Sequence, residues 1–256
     1  MSDQNIQPLF RLRVEYVKEG RLAYLGHLEV IHTIERIVRR AGLPYAVTQG
    51  FSPHMRVGFS SALPVGTSSD SEWYDVFLTQ LVPVPDALER LRAASPDDLM
   101  VKRCGYIDVR TPALTAQITA VRYRVDMDLS AGDRGASSLR EALSLVAALQ
   151  SIPYMRGKKS KVMDLDKTLI ACRETEPVGG FGFALELDTH CDNDGALRPE
   201  IFLAALDRAM SGDLDLEGEP IQSTGIQDFE NIARYRVRRI SQLVALDDGV
   251  FASPLD

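Results

Sequence analysis

The sequence predicts an α+β protein of two similar halves, and three observations predict it. Strand-like alternation opens each half, at Phe10-Leu12-Val14-Tyr16 and again at Val121-Tyr123-Val125-Met127-Leu129. A helical period follows each alternation: Leu28, Ile31, Ile34 and Val38 in the first half, Ala142, Leu145, Val146 and Leu149 in the second. Thr111-Pro112 breaks the pattern between them, and 256 residues is the length of about two domains of ~100–130 residues.

The elements follow in order. Arg11, Arg13 and Glu15 alternate with the apolar residues of the first strand, so that strand reads as half-buried. Lys18-Glu19-Gly20-Arg21 is a polar turn. A helix starts near His27 and ends at Gly42 and Pro44, the proline lacking the N–H that a further turn needs. Two β segments, Tyr45–Gln49 and Arg56–Ala62, flank a polar connection, and Trp73–Leu78 is another strand. Pro85-Asp86 opens a short helix carrying Leu88 and Leu91, and Met100–Val109 closes the half. In the second half Ser138 and Glu141 have capping-box spacing at a helix start. A basic loop, Arg156 to Lys161, leads into Val162–Cys172. Phe181–Leu187 alternates as a strand, Pro199 stands near a helix start, residues 212–230 form a loop, and Ile232–Leu243 is the last strand. The order β-α-β-β-α-β, twice, predicts two tandem ferredoxin-like domains at residues 9–111 and 116–245, with 1–8 and 246–256 as tails.

Composition narrows the function. Residues 1–112 balance 13 Lys+Arg against 13 Asp+Glu, whereas 186–230 hold 12 acids and only Arg198 and Arg208, which argues against a wholesale nucleic-acid coat. Cys104, Cys172 and Cys191 are too scattered for a disulfide framework or a one-loop cluster site, and no metal-ligand spacing appears among the four histidines. No apolar run is long enough to span a bilayer and Met1–Pro8 lacks a signal core, so a cytoplasmic protein without membrane contact is expected.

The densest polar set is Gln49-Gly50-Phe51-Ser52-Pro53-His54-Met55-Arg56, where an amide, a hydroxyl, an imidazole and a guanidinium stand between two β segments. Arg21, His27 and Glu29 precede and open the first helix, where the helix dipole disfavours a charged imidazole. We expect a first-domain binding pocket built from Arg21, His27, Glu29, Gln49, Gly50, Phe51, Ser52, His54 and Arg56. The bland alternative is a solvated connection and a lone packing histidine.

Gly26-His27-Leu28-Glu29, Glu35-Arg36, Arg39-Arg40-Ala41-Gly42-Leu43-Pro44, Gln49 to His54, Leu63-Pro64-Val65-Gly66 and Glu72-Trp73-Tyr74-Asp75, taken in order, resemble the radical-SAM-linked protein family. Lys158-Lys159, Lys161, Asp164 and Ser253-Pro254-Leu255 extend the resemblance into the second half. The family has Ser-His-Leu-Asp where this chain has Gly26 to Glu29, and Asn where Ser52 stands. The resemblance implies an accessory protein that works with a radical S-adenosylmethionine enzyme, presenting substrate or completing its site. It supplies no catalytic residues. A radical enzyme needs three thiolates close in sequence for its cluster. This chain lacks them, so the iron–sulfur cluster and S-adenosylmethionine are expected only in the partner.

The alternative reading is an RNA-binding protein or metal-independent endoribonuclease. The tandem domains, His27 near the first helix and Gly179-Gly180-Phe181-Gly182 resemble the CRISPR repeat-processing endoribonucleases. Its phosphate contacts would come from Arg36, Arg39 and Arg40, from Arg156, Lys158, Lys159 and Lys161, and from Arg234, Arg236 and Arg238.

Overall fold

A computed structural model describes residues 8–191, 195–213, 220–225, 227–246 and 250–256. The first half runs β1 (Phe10–Lys18), α1 (His27–Arg40), β2 (Val57–Phe59), β3 (Ser68–Leu78), α2 (Val84–Ala94) and β4 (Val101–Ile107). A short α3 (Leu114–Gln117) leads into β5 (Ala120–Leu129), α4 (Ala136–Ala147), β6 (Ser151–Arg156), β7 (Lys159–Asp164), α5 (Leu165–Thr168), β8 (Leu169–Thr175), β9 (Phe183–His190), α6 (Pro199–Met210), β10 (Ile221–Gln222), β11 (Ile232–Ala245) and β12 (Phe251–Ala252). No helix among the described residues is long and apolar enough to cross a membrane.

The protein is α+β with one large mixed sheet rather than two separate ones. Its strands run β4-β1-β3-β11-β5-β9-β8, with β2 attached to β3 and β12 to β11. Every neighbour is antiparallel except β11 on β3, which pair in parallel through Arg238 with Ser68 and Arg239 with Ser69. This seam joins the halves. A second, three-stranded sheet, β10-β6-β7, takes β6 and β7 from between α4 and β8 and β10 from between α6 and β11.

Side-chain alternation decides what each face buries. In the first half Leu12, Val14, Tyr74, Val76 and Leu78 meet Val30, Ile34, Ile37 and Val38 of α1 in one core. In the second, Tyr123, Val125 and Met127 meet Leu139, Val146, Phe202 and Leu206 in another. Arg239 lies opposite Tyr123 on one side and Ser69 on the other, so Ser69, and with it Trp73, shares the second half's core face. The helices of the two halves therefore cover opposite faces of the common sheet.

The structure corrects several expectations. Leu28 is 70% exposed, because the buried face of α1 centres on Ile34 and Ile37 rather than on the line through Leu28. Leu145 of α4 likewise turns outward, at 39% exposure. Ser138 and Glu141 form no capping box: α4 begins at Ala136, and the Ser138 hydroxyl donates to Met210 O. The basic stretch 156–161 is a tight β-hairpin; within the expected loop 212–230, Ile221–Gln222 form β10, and 214–219 and 226 lie outside the described residues.

β1 is not half-buried. Arg11, Arg13 and Glu15 are 5%, 0% and 5% exposed, because residues 109–117 and the chain end cover their face. Asp75 accepts hydrogen bonds from Arg11 (Nη2, 2.6 Å) and Arg13 (Nε, 2.8 Å); Arg13 also donates to Gln117 Oε1 and to Pro254 O, both at 2.6 Å. Residues 253–255 of the expected C-terminal tail thus belong to the packed structure.

Candidate binding cleft at the seam

Residues 49–56 do not converge on a pocket. Gln49, Gly50, Phe51, Ser52, His54 and Arg56 are all exposed, Phe51 completely. The loop is narrow, because Tyr45–Leu78 and Val47–Met55 are isolated bridges and only Met55 turns into the core. His54 N donates to Thr48 Oγ1 at 3.2 Å, and the imidazole Nδ1 lies 3.1 Å from Ser52 O, so the ring closes its own loop. The Arg56 guanidinium lies over the Phe77 ring at 4.1 Å.

The other predicted residues serve locally as well. His27 is exposed with its ring edge-on to Phe59 at 6.0 Å. Glu29 caps α1, its carboxylate accepting from Gly26 N at 2.8 Å. Arg21 is exposed, and its backbone N–H donates to Asp98.

Cavities lie instead where the halves meet. The Leu63-Pro64-Val65-Gly66 turn enters the seam and ends on Gly66 at φ 84°, a left-handed conformation that favours glycine. Gly66 N and the buried Lys18 Nζ both donate to Ala23 O, at 3.1 and 2.6 Å, which fixes the turn against β1. Burial lowers the Lys18 pKa, opposed by Glu72.

A cavity of about 370 Å³ lies on one side of the turn, with Tyr24, Val65 and Gly66 facing Phe229, Tyr235 and Val237. On the other side a cavity of about 270 Å³ sets Ser61, Ala62 and Pro64 against Tyr123, Tyr154 and Arg239. Pro199 lines both. None of residues 49–56 lines either one.

Arg239 is the charged anchor of the smaller cavity. It is 2% exposed and donates to Glu72 Oε1 and Ser61 O, both at 3.1 Å, and to Tyr123 Oη at 3.4 Å. Burial opposes its charge, but the Glu72 carboxylate and the Tyr123 hydroxyl outweigh burial and hold its pKa above the ordinary arginine value. Arg198 lies over the Tyr154 ring at 6.0 Å, on the same cavity's wall. The sequence groups Arg239 with Arg234, Arg236 and Arg238 as one basic cluster, yet these three share the outer face of the last strand, so Arg239 points inward.

The predicted phosphate contacts divide into paired and unpaired groups. Arg234 binds Asp128, Arg236 binds Asp126 at 2.9 Å, and Arg238 binds Asp70, so the β11 cluster is neutralised. Burial works against the Asp126 charge, yet hydrogen bonds from Arg236, Val178 N and Arg124 hold its pKa below the ordinary value. On α1, Arg39 pairs with Glu35 while Arg36 and Arg40 are exposed. Arg156, Lys158, Lys159 and Lys161 are exposed on the hairpin, and none has an ion-pair partner among the described residues.

The thiols of Cys104 and Cys172 are pushed up by burial, to about 11 and about 12, so neither is a ready nucleophile. Among the described residues, no group of three or more His, Cys, Asp or Glu could hold a metal ion.

No curated protein matches the chain. Among solved structures, one titled "Crystal Structure of an Unknown Protein from Galdieria sulphuraria" is similar over 80% of this chain and 94% of that one, at 9% identity and a TM-score of 0.24. The model of the family described as "Uncharacterized protein conserved in bacteria (DUF2344)" matches residues 11–199. That stretch runs from β1 to the first residue of α6 and takes in both the 49–56 loop and the seam turn, and the chain belongs to this family.

Proposed function

We propose that the protein is an accessory binding module that works with a radical S-adenosylmethionine protein, its first-half loop touching the partner and its seam cleft holding the substrate. The exposure of the 49–56 loop carries this reading. Residues 49–56 of the radical-SAM-linked resemblance stand outside both seam cavities, with Phe51 fully exposed on a loop that Thr48 and His54 tie at its base. A large apolar side chain held in water on an ordered loop suits a partner's pocket better than a ligand site. The scattered spacing of Cys104, Cys172 and Cys191 supports a reading in which the radical chemistry belongs to the partner.

The fold reading behind this is two βαββαβ plaits fused edge to edge. The matching orders β4-β1-β3-β2 and β11-β5-β9-β8 support it, with β10-β6-β7 as an insertion in the second plait.

Co-expression with the radical S-adenosylmethionine proteins of the same source, followed by affinity capture, tests the reading. The unaltered chain should recover such a partner. Phe51→Ser should reduce recovery at a cost of about 2 kcal/mol in affinity. His54→Ala and Arg56→Ala should change stability by no more than about 0.5 kcal/mol while impairing partner-dependent activity. Recovery of no such partner by the unaltered chain sinks the proposal.

A further inference from the structure

The β6–β7 hairpin extends one wall of the smaller seam cavity. Its register pairs Ile152 with Met163, Tyr154 with Lys161 and Arg156 with Lys159. Paired residues of an antiparallel ladder point the same way, and alternate residues of a strand share a face. Ile152, Tyr154, Arg156, Lys159, Lys161 and Met163 therefore lie on one face of the hairpin. Tyr154 and Met163 of that face line the cavity. Lys161, Arg156 and Lys159 continue it outward to the tip, where Gly157 turns the chain at φ 60°.

These cations differ from most others in the chain. Arg11, Arg13, Arg122, Arg124, Arg173 and Arg239 each hold a carboxylate, as do the three arginines of the β11 cluster. Within residues 156–161 four cations stand together with no acid, in a protein of net charge −7. Concentrated like charge repels itself unless an anion neutralises it.

The cavity at the hairpin's root has complementary chemistry. The Tyr123 and Tyr154 rings wall it, Arg198 stands over Tyr154, and Asp164 and Thr168 add polar groups at its edge. At about 270 Å³ it lies just below the ~300–1,000 Å³ of small-molecule pockets. Read from inside outward, an aromatic slot with a few polar groups is followed by a row of free cations. A nucleotide chain presents the same order, a flat base and then phosphates.

We propose that the smaller seam cavity and the basic face of the hairpin together bind single-stranded nucleic acid, with one unpaired base entering the cavity and the adjoining phosphates lying on Lys161, Arg156 and Lys159. This assigns a substrate class to the cleft and rests on the reading of that cleft as the substrate site. Duplexes are excluded because a paired base is not free to enter. The paired β11 arginines take no part.

Fluorescence anisotropy with a labelled single-stranded 12-mer, as RNA and as DNA, tests this on the full chain alone. Contact with three phosphates should weaken binding about twentyfold between 50 and 200 mM salt, from a slope of about −0.7 per contact. The triple variant Arg156→Ala, Lys159→Ala, Lys161→Ala changes only exposed side chains, and circular dichroism will confirm its fold. It should lose at least about tenfold in affinity and most of the salt dependence. Arg36→Ala with Arg40→Ala should change neither. A ratio between the RNA and DNA affinities identifies the natural strand, and either strand bound in this way supports the proposal. Three results would overturn it: no binding at 50 mM salt, binding undiminished in the triple variant, or equal competition by duplex or polyglutamate. Because no partner is present, a failed capture experiment together with hairpin-dependent binding refutes the accessory role and leaves this site standing.

Discussion

At the scale of single residues, position in the ion-pair lattice decides what each charged group does. Asp126 accepts from Arg124 and Arg236 with its own carboxylate 1% exposed. Its folded-state pKa lies below the unfolded value, so the stabilisation is present above about pH 4 and is lost as pH falls through the folded value. Asp126→Asn should destabilise the protein at pH 7 by about 2 kcal/mol. That is less than the ~3–5 kcal/mol of a fully buried pair, because Arg236 is 37% exposed. In urea unfolding across pH, the deficit should shrink below about pH 4; a constant deficit would show that packing, not charge, is lost. The sequence displayed all of these charged residues, but not which of them meet. Arg234, Arg236 and Arg238 looked free because Asp128, Asp126 and Asp70 are distant along the chain. Arg13 and Asp75 gave the same false impression of a wet strand face.

Among the elements, most strands and helices were legible, since period and punctuation are local properties. α6 begins at Pro199 and β11 at Ile232, where the sequence placed them. The hairpin was not legible: Lys158, Lys159 and Lys161 lack the apolar alternation that marks a strand, and a ladder to β6 holds them instead. The C-terminal segment was equally hidden, because its role is to cover a face formed far away. Arg103 donates to Ser253 Oγ at 2.7 Å, and a Cβ on Gly105 would come to 3.1 Å from Leu255. Removing residues 253–256 would leave Arg13, 0% exposed, short of its Pro254 acceptor. The expected cost is about 1–3 kcal/mol, measurable as a lower urea midpoint. An unchanged midpoint would mean that the segment only rests on the sheet.

For the whole molecule, the seam is what sequence could not supply. Two plait-like patterns can be read from one chain, but whether their sheets merge depends on long-range pairing that leaves no local trace. The candidate site shared this fate: the motif loop was visible, yet the cavities formed where Leu63–Gly66 meets the second half. Trp73, the single tryptophan, belongs to a first-half strand and sits in the second half's core at 1% exposure. Unfolding followed by its fluorescence should therefore coincide with loss of far-UV circular dichroism in one cooperative transition. Two separated transitions would show that the halves fold independently.

One edge of β3 has two occupants. β2 takes it at Tyr74 and Val76, β11 takes it at Ser68 and Ser69, and between them the Gln242 side chain donates to Ser71 O at 2.7 Å and to Ser60 Oγ at 3.2 Å. The two strands share this edge end to end, with residues 70–73 between them. Gln242 thus ties Ser60, just past the end of β2, to β3 directly beside Ser61, where the lining of the smaller cavity begins.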